Sequence, residues 1–183
     1  MRTRIIFQIL FLSSLILSCD ENDPEKFEER DFVPGDIAIG IKSTVAIDLV
    51  FNLMNERGVF IEQMSGFFNY SRLPNDSLEY IKDILKSKPY TDRWGGYGGS
   101  AFISAVDNRL IVTEFFFNMD IPAQEDWLST MNQLELKDLG NDTKNLLINV
   151  SPGTERYWMN VFKKHQYVKW VELNYIGGHE PLN

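Results

Sequence analysis

"FVPGDIAIGIKSTVAIDLVFNLMNERGVFIEQMSGFFNYS", Phe32 to Ser71, changes its hydrophobic period twice. The Pro34-Gly35 pair marks a turn. Ile37, Ile39 and Ile41 then alternate with Ala38, Gly40 and Lys42, the pattern of a half-buried strand. From Ser43 the period lengthens. Ala46, Leu49, Val50, Leu53 and Met54 form one apolar stripe of a helix, with Ser43 or Thr44 as its cap and Gly58 as its C-terminal stop. "VFIEQMSGFFNYS" returns as an aromatic-rich strand with Gly66 as a candidate bulge. The unit reads strand, helix, strand.

The same order recurs near the C-terminus. "NLLINV" is a short apolar strand, and "SPGTERYWMNVFKKHQ" reads as a helix capped by Ser151, with Pro152 in its first turn. Its stripe is Tyr157, Trp158, Val161, Phe162 and His165. "YVKWVELNYI" is again a strand, with Val171, Leu173 and Tyr175 on one face and Trp170, Glu172 and Asn174 on the other. Two such units in one domain predict an α+β fold, a ferredoxin-like βαββαβ sandwich.

Residues 72–143 separate the halves and carry their own patterns. "NDSLEYIKDILKSKP" has Asp76 and Glu79 at capping-box spacing, a Leu78, Ile81, Leu85 stripe, and Pro89 beyond. "SAFISAVDNRLIVTEFFF" predicts a hairpin turning at Asp107-Asn108. "IPAQEDWLSTMNQL" predicts a helix with Trp127, Leu128, Met131 and Leu134 inward. The expectation is a large αββα insertion that extends the sheet or forms a small lobe of its own. Residues 32–183 are the size of a single domain.

The first residues, "MRTRIIFQILFLSSLILSC", have a basic start at Arg2 and Arg4, an apolar stretch from Ile5 to Leu17, and small Ser18 before the chain's only cysteine. That is the order of a secretory signal peptide, residues 1–18. The apolar stretch is short of the roughly 20 residues a membrane-spanning helix needs. "LILSC" resembles the bacterial lipobox. The resemblance implies that Cys19 is diacylated and becomes the mature N-terminus of a cell-envelope lipoprotein. Two acyl chains suffice for stable anchoring, at ~0.8 kcal/mol per buried CH₂. An acylated Cys19 leaves no thiol for a disulfide, a metal or nucleophilic catalysis.

Residues 19–31 read as an acidic, disordered tether that spans about 45 Å when extended, at ~3.4 Å per residue. An acidic stretch after the lipidated cysteine is similar to a surface-export signal of some Gram-negative lipoproteins. Asp directly after the cysteine is, in others, an inner-membrane retention signal. The outer membrane is the preferred reading. Removing Arg2 and Arg4 from 18 basic residues leaves 16 against 26 acidic ones, a net −10. That charge argues against a nucleic-acid partner and against an anionic-lipid-binding face.

Motifs for chemistry are few. "GYGGSA", residues 96–101, formally matches a dinucleotide-binding pattern. A helix precedes it and a hairpin follows, the reverse of what that motif requires. Trp94 and Tyr97, among four glycines, are candidate ligand contacts on a flexible loop. His165 and His179 are the two histidines. No HExxH, Cys/His cluster or GxSxG is present, so neither a metal nor any other cofactor is expected. Carboxylate pairs such as Glu28/Glu29 and Glu125/Asp126 fall on polar faces. "DSL", residues 76–78, resembles a short O-glycosylation motif of some Gram-negative bacteria, which would modify Ser77; a capping box explains the same residues.

"FVPGDIAIGIK" and "YVKWVELNYI" also look like the first and last strands of subtilisin-type propeptides, inhibitors of βαββαβ fold. Val171, Glu172, Asn174 and Tyr175 match that family's last-strand segment, while Leu173 replaces its proline. The resemblance implies a final strand and tail that engage a protein. The reading reached is a non-enzymatic lipoprotein that binds a protein, peptide or glycan. Trp170, Glu172, Asn174 and the tail 177–183 are its candidate surface, unless the insertion folds over Trp170. The alternatives are a propeptide-like inhibitor and a carboxylate-dependent hydrolase.

Overall fold

Phe32–Ile41 forms β1, Ile47–Asn55 α1 and Phe60–Ser71 β2, the three elements of the first unit, in a computed structural model that describes residues 31–93, 96–97, 99–140 and 143–176. The second unit is β8 (Lys144–Asn149), α4 (Glu155–Lys163) and β9 (Val168–Tyr175). Between them lie α2 (Leu78–Lys86), the two-residue strands β3 (Asp92–Arg93) and β4 (Gly96–Tyr97), β5 (Ser100–Ile103), β6 (Leu110–Met119), α3 (Ile121–Gln133) and β7 (Leu136–Asp138).

The fold is α+β: four helices and one seven-stranded antiparallel sheet among the described residues. The sheet runs β5-β6-β2-β8-β1-β9, with β7 pairing the far end of β2. The insertion is therefore part of the sheet, since β6 pairs with β2 from Ile61 to Ser71. Among the described residues no helix is long and apolar enough to cross a membrane.

One face of the sheet carries the core. Ile37, Ile39 and Ile41 of β1, Leu146 and Ile148 of β8, Ile61, Met64 and Phe67 of β2, and Val112 and Phe116 of β6 are all buried. They share one cluster with Val50 and Met54 of α1, Ile81 and Leu85 of α2, Trp127 of α3 and Phe162 of α4. All four helices thus cover the same face. Burial at period two on every long strand leaves the opposite face without a helix. Phe116 and Trp127 meet edge to face at 4.6 Å, with Tyr90 and Phe67 around them. Such pairs add about 0.5–1.5 kcal/mol each beyond area burial.

Gly66 makes the expected bulge. Its φ is +80°, the β2–β6 register shifts between Met64 and Phe67, and a Cβ there would lie 2.5 Å from the Thr143 carbonyl oxygen. The loop 104–109 joins β5 to β6, with Asn108 in the left-handed region at φ 54°.

Helix starts differ from the sequence reading. α1 is capped at Ala46 rather than Ser43 or Thr44, and no side chain caps it. Its buried positions are Ile47, Val50, Phe51, Leu53 and Met54; Leu49 is exposed. α4 starts at Glu155, because residues 151–153 form a turn in which the Ser151 carbonyl accepts from the backbone and side chain of Thr154. Tyr157, on the side of α4 opposite Glu155 and Phe162, faces solvent. α2 follows a 3₁₀ turn, Asn75–Ser77, with no capping box, and Glu79 instead pairs with Lys82 at 2.8 Å. Asp120 does cap α3, accepting the Ala123 N–H at 2.9 Å. Tyr175, expected inward, is exposed at the end of β9 opposite Phe32.

Candidate functional site

The helix-free face divides into two halves. Across β2, β6 and β5 the register sets Tyr70, Ile111 and Phe102 in one row and Phe68, Thr113 and Ser100 in the next. Phe115 stands two residues beyond Thr113, on the same face and diagonal to Phe68. Phe68, Phe102 and Phe115 are 38%, 44% and 45% exposed, unusual values for three phenylalanines on neighbouring strands. The Arg109 guanidinium lies 5.0 Å from the Tyr70 ring centroid, and Asp107 holds it there. This half is aromatic, and two of its three strands come from the insertion.

Across β8, β1 and β9 the face is polar and cross-linked. Asp36 accepts from the Asn149 side-chain amide at 3.2 Å and from that of Asn174 at 3.0 Å. Both oxygens of a mostly buried carboxylate are thereby satisfied, one from each neighbouring strand. The next rows are Leu147, Ala38 and Glu172, then Asn145, Gly40 and Trp170. The Trp170 indole lies directly on Gly40: a Cβ on that glycine would come within 2.1 Å of Trp170 Nε1. Glycine at position 40 is what lets the indole lie down.

Trp170, Glu172 and Asn174 share this face, as their alternation predicts. Trp170 is half-buried, Glu172 exposed, and Asn174 half-buried against Asp36. Strands β5 and β6 of the insertion join the sheet beyond β2, and β7 continues the β8 edge of β2. Tyr97 falls in β4, whose partner β3 packs beside β6. Cys19, Trp94 and residues 177–183 lie outside the described residues. Ser77 is half-buried at the start of α2.

Several polar groups escaped the sequence reading. Lys144 has a side chain only 2% exposed, with its Nζ 2.7 Å from Asp138 Oδ2 and 2.6 Å from the Ser43 carbonyl oxygen. Its phase with Leu146 and Ile148 was the available signal. Glu155 accepts the Gly35 N–H at 2.7 Å and the Gly153 N–H at 3.0 Å. Backbone donors at Gly153, at its own amide and at Gly35 hold its carboxyl below the ordinary value. Burial, then the hydrogen bond to Asp126, pushes the Tyr90 hydroxyl well above its ordinary value. Glu114 is buried in phase with Val112 and Phe116.

Of the insertion's carboxylates, Glu79 pairs with Lys82, Asp107 with Arg109, Asp126 with Lys88 and Tyr90, and Asp138 with Lys144. Among the described residues no group of three His, Cys, Asp or Glu side chains is placed to hold a metal ion. What the helix-free face offers chemically is binding groups: on one half, rings without ring partners among the described residues, and on the other, pre-ordered acceptors and an indole. Compared with protein-family models, curated proteins and solved structures, the chain gives no significant match.

Proposed function

We propose that the chain is a non-enzymatic lipoprotein of the cell envelope, acylated at Cys19, whose body binds a protein partner through the helix-free face of its sheet. The observation that carries this reading is the exposure of Phe68, Phe102 and Phe115 side by side on that face. Exposed aromatics grouped in this way, with little charge among them, form the centre of protein interfaces. Peptides and glycans are smaller occupants of the same surface.

The strand order β9-β1-β8-β2, with α1 joining β1 to β2 and α4 joining β8 to β9, supports a ferredoxin-like domain into which residues 72–143 are inserted. In this reading the hairpin that would join the two middle strands has become the insertion.

The test replaces Phe68, Phe102 and Phe115 together with serine. The melting temperature should stay within a few degrees of wild type, since surface changes cost about ±0.5 kcal/mol each. Cross-linking in intact cells should lose every envelope protein that the wild-type chain captures. Unchanged capture by a folded triple variant would refute the site.

A further inference from the structure

A basic stretch opens on α4 and runs into β9. From Arg156 to Val171 the sequence carries Arg156, Lys163, Lys164 and Lys169 and no acid, within a chain of net charge −8. Arg156, Tyr157, Asn160, Lys163 and Lys164 are exposed while Phe162 is fully buried. At 3.6 residues per turn those five positions share an arc of about 120° on the side turned away from the core. Among the described residues the cations of this arc have no carboxylate partner. Arg57, Lys82, Lys88, Arg109 and Lys144 each have a carboxylate partner, but among the described residues none lies in reach of Arg156, Lys163 or Lys164. Beside the cations stand two amphipathic rings. Tyr157 is 64% exposed and meets Trp158 edge to face at 5.4 Å, and Trp158 stacks on Phe162 at 5.9 Å.

We infer that the outer face of α4 docks on an anionic phospholipid surface. The inference rests on the anchoring at Cys19 proposed above. Three features favour a bilayer over an acidic protein. The face is the convex back of a helix rather than a groove. Its cations share one arc and have no carboxylate partner among the described residues. Tyrosine and tryptophan beside lysine and arginine suit the headgroup layer, where an apolar ring body and a polar tip are both accommodated. A net negative charge does not oppose this, because screening limits each charge to about 8–10 Å at physiological salt and the local surface decides. In the docked state, α4 lies toward the bilayer and the helix-free sheet face points away from it.

The test uses the full chain as expressed in its host, purified in detergent and reconstituted with vesicles of neutral phosphatidylcholine or of phosphatidylcholine with 30% phosphatidylglycerol, each carrying brominated acyl chains. Trp158 emission, isolated by difference from Trp158→Phe, should be quenched on the anionic vesicles and not on the neutral ones. Quenching should vanish in 1 M salt. Arg156→Gln, Lys163→Gln and Lys164→Gln should each weaken docking about fivefold, at ~1 kcal/mol per cation. Cosedimentation with neutral vesicles separately reports the anchor. A chain that sediments with both vesicles but shows no anionic-specific quenching overturns docking and leaves the anchor standing. Quenching on anionic vesicles without sedimentation on neutral ones overturns the anchor and keeps the docking face. Absence of both overturns both. Salt-sensitive capture of a polyglutamate peptide by α4, with no quenching on lipid, would replace the bilayer with an acidic protein partner.

Discussion

On β6, Thr113 and Phe115 stand among Phe68 and Phe102, whose rings have no ring partner among the described residues. On β1, Asp36 and Gly40 are tied to Asn149, Asn174 and Trp170 on the strands either side. Both regions belong to one face of one sheet and obey the same alternation. The polar half satisfies itself: each acceptor of Asp36 is occupied and the Trp170 indole is half covered. The aromatic half leaves its rings in water. A face can thus be exposed along its whole width while only part of it remains available for a partner.

The sharpest way to break this comparison lies at two adjacent residues. Phe116 is fully buried against Trp127 and Phe67, whereas Phe115 is 45% exposed. Phe116→Ala should cost about 3–5 kcal/mol, and Phe115→Ala should change stability by no more than ~0.5 kcal/mol. Chemical denaturation of both variants decides it; equal losses would mean that Phe115 is also packed.

A smaller effect is expected on the polar half. Gly40→Ala places a methyl group where the Trp170 indole lies, and overpacking of this kind costs about 1–3 kcal/mol. In a Trp170→Ala background the same substitution should be nearly silent, because the obstacle is gone. A double-mutant cycle with additive losses would show that the two residues do not meet.

The smallest effect sharpens the contrast at the start of β1. Glu155 is ionised in the fold and accepts from Gly35, so its carboxyl sits below the ordinary value of 4.5. The unfolded chain binds the proton more readily. This contribution is therefore complete above the unfolded value and is lost as pH falls through the lower native one. Glu155→Gln should lower stability at pH 7 by about 1 kcal/mol, the difference between charged and neutral acceptors. It should also flatten the acid limb of the stability–pH curve. A variant with the wild-type acid limb would place the titrating group elsewhere.

The paired strand-helix-strand units were legible because Ile37, Ile39, Ile41 and the stripe through Val50, Leu53 and Met54 repeat at unmistakable periods. Helix starts were not. Ser43 and Ser151 look like caps, yet the local turns delay α1 to Ile47 and α4 to Glu155, where Glu155 serves the backbone of Gly35 instead. β7, three residues long, is too short for any period to show. Tyr157 was misplaced because it lies on the opposite side of α4 from Glu155 and Phe162, and Tyr175 because it stands at the very end of β9. At the site, alternation placed Trp170, Glu172 and Asn174 together. The aromatic half went unread, since Phe68, Phe102 and Phe115 sit among other phenylalanines. Which ring of "EFFF" or "GFF" faces water depends on the bulge at Gly66 and on pairing with distant strands.

Strand β1 takes both of its neighbours from the far end of the chain: Asp36 meets Asn149 and Asn174, 113 and 138 positions away. The separation governs the order of folding. As the chain emerges N-terminus first, Ile37, Ile39 and Ile41 stay without a partner strand until β8 and β9 have appeared. Closing a loop of about seventy residues between β2 and β8 costs roughly 2.5 kcal/mol more entropy than closing a four-residue hairpin. Such a topology folds late and slowly for its size. For the envelope lipoprotein proposed above that delay would be useful, because a polypeptide that has not yet collapsed can be threaded through a narrow translocation channel.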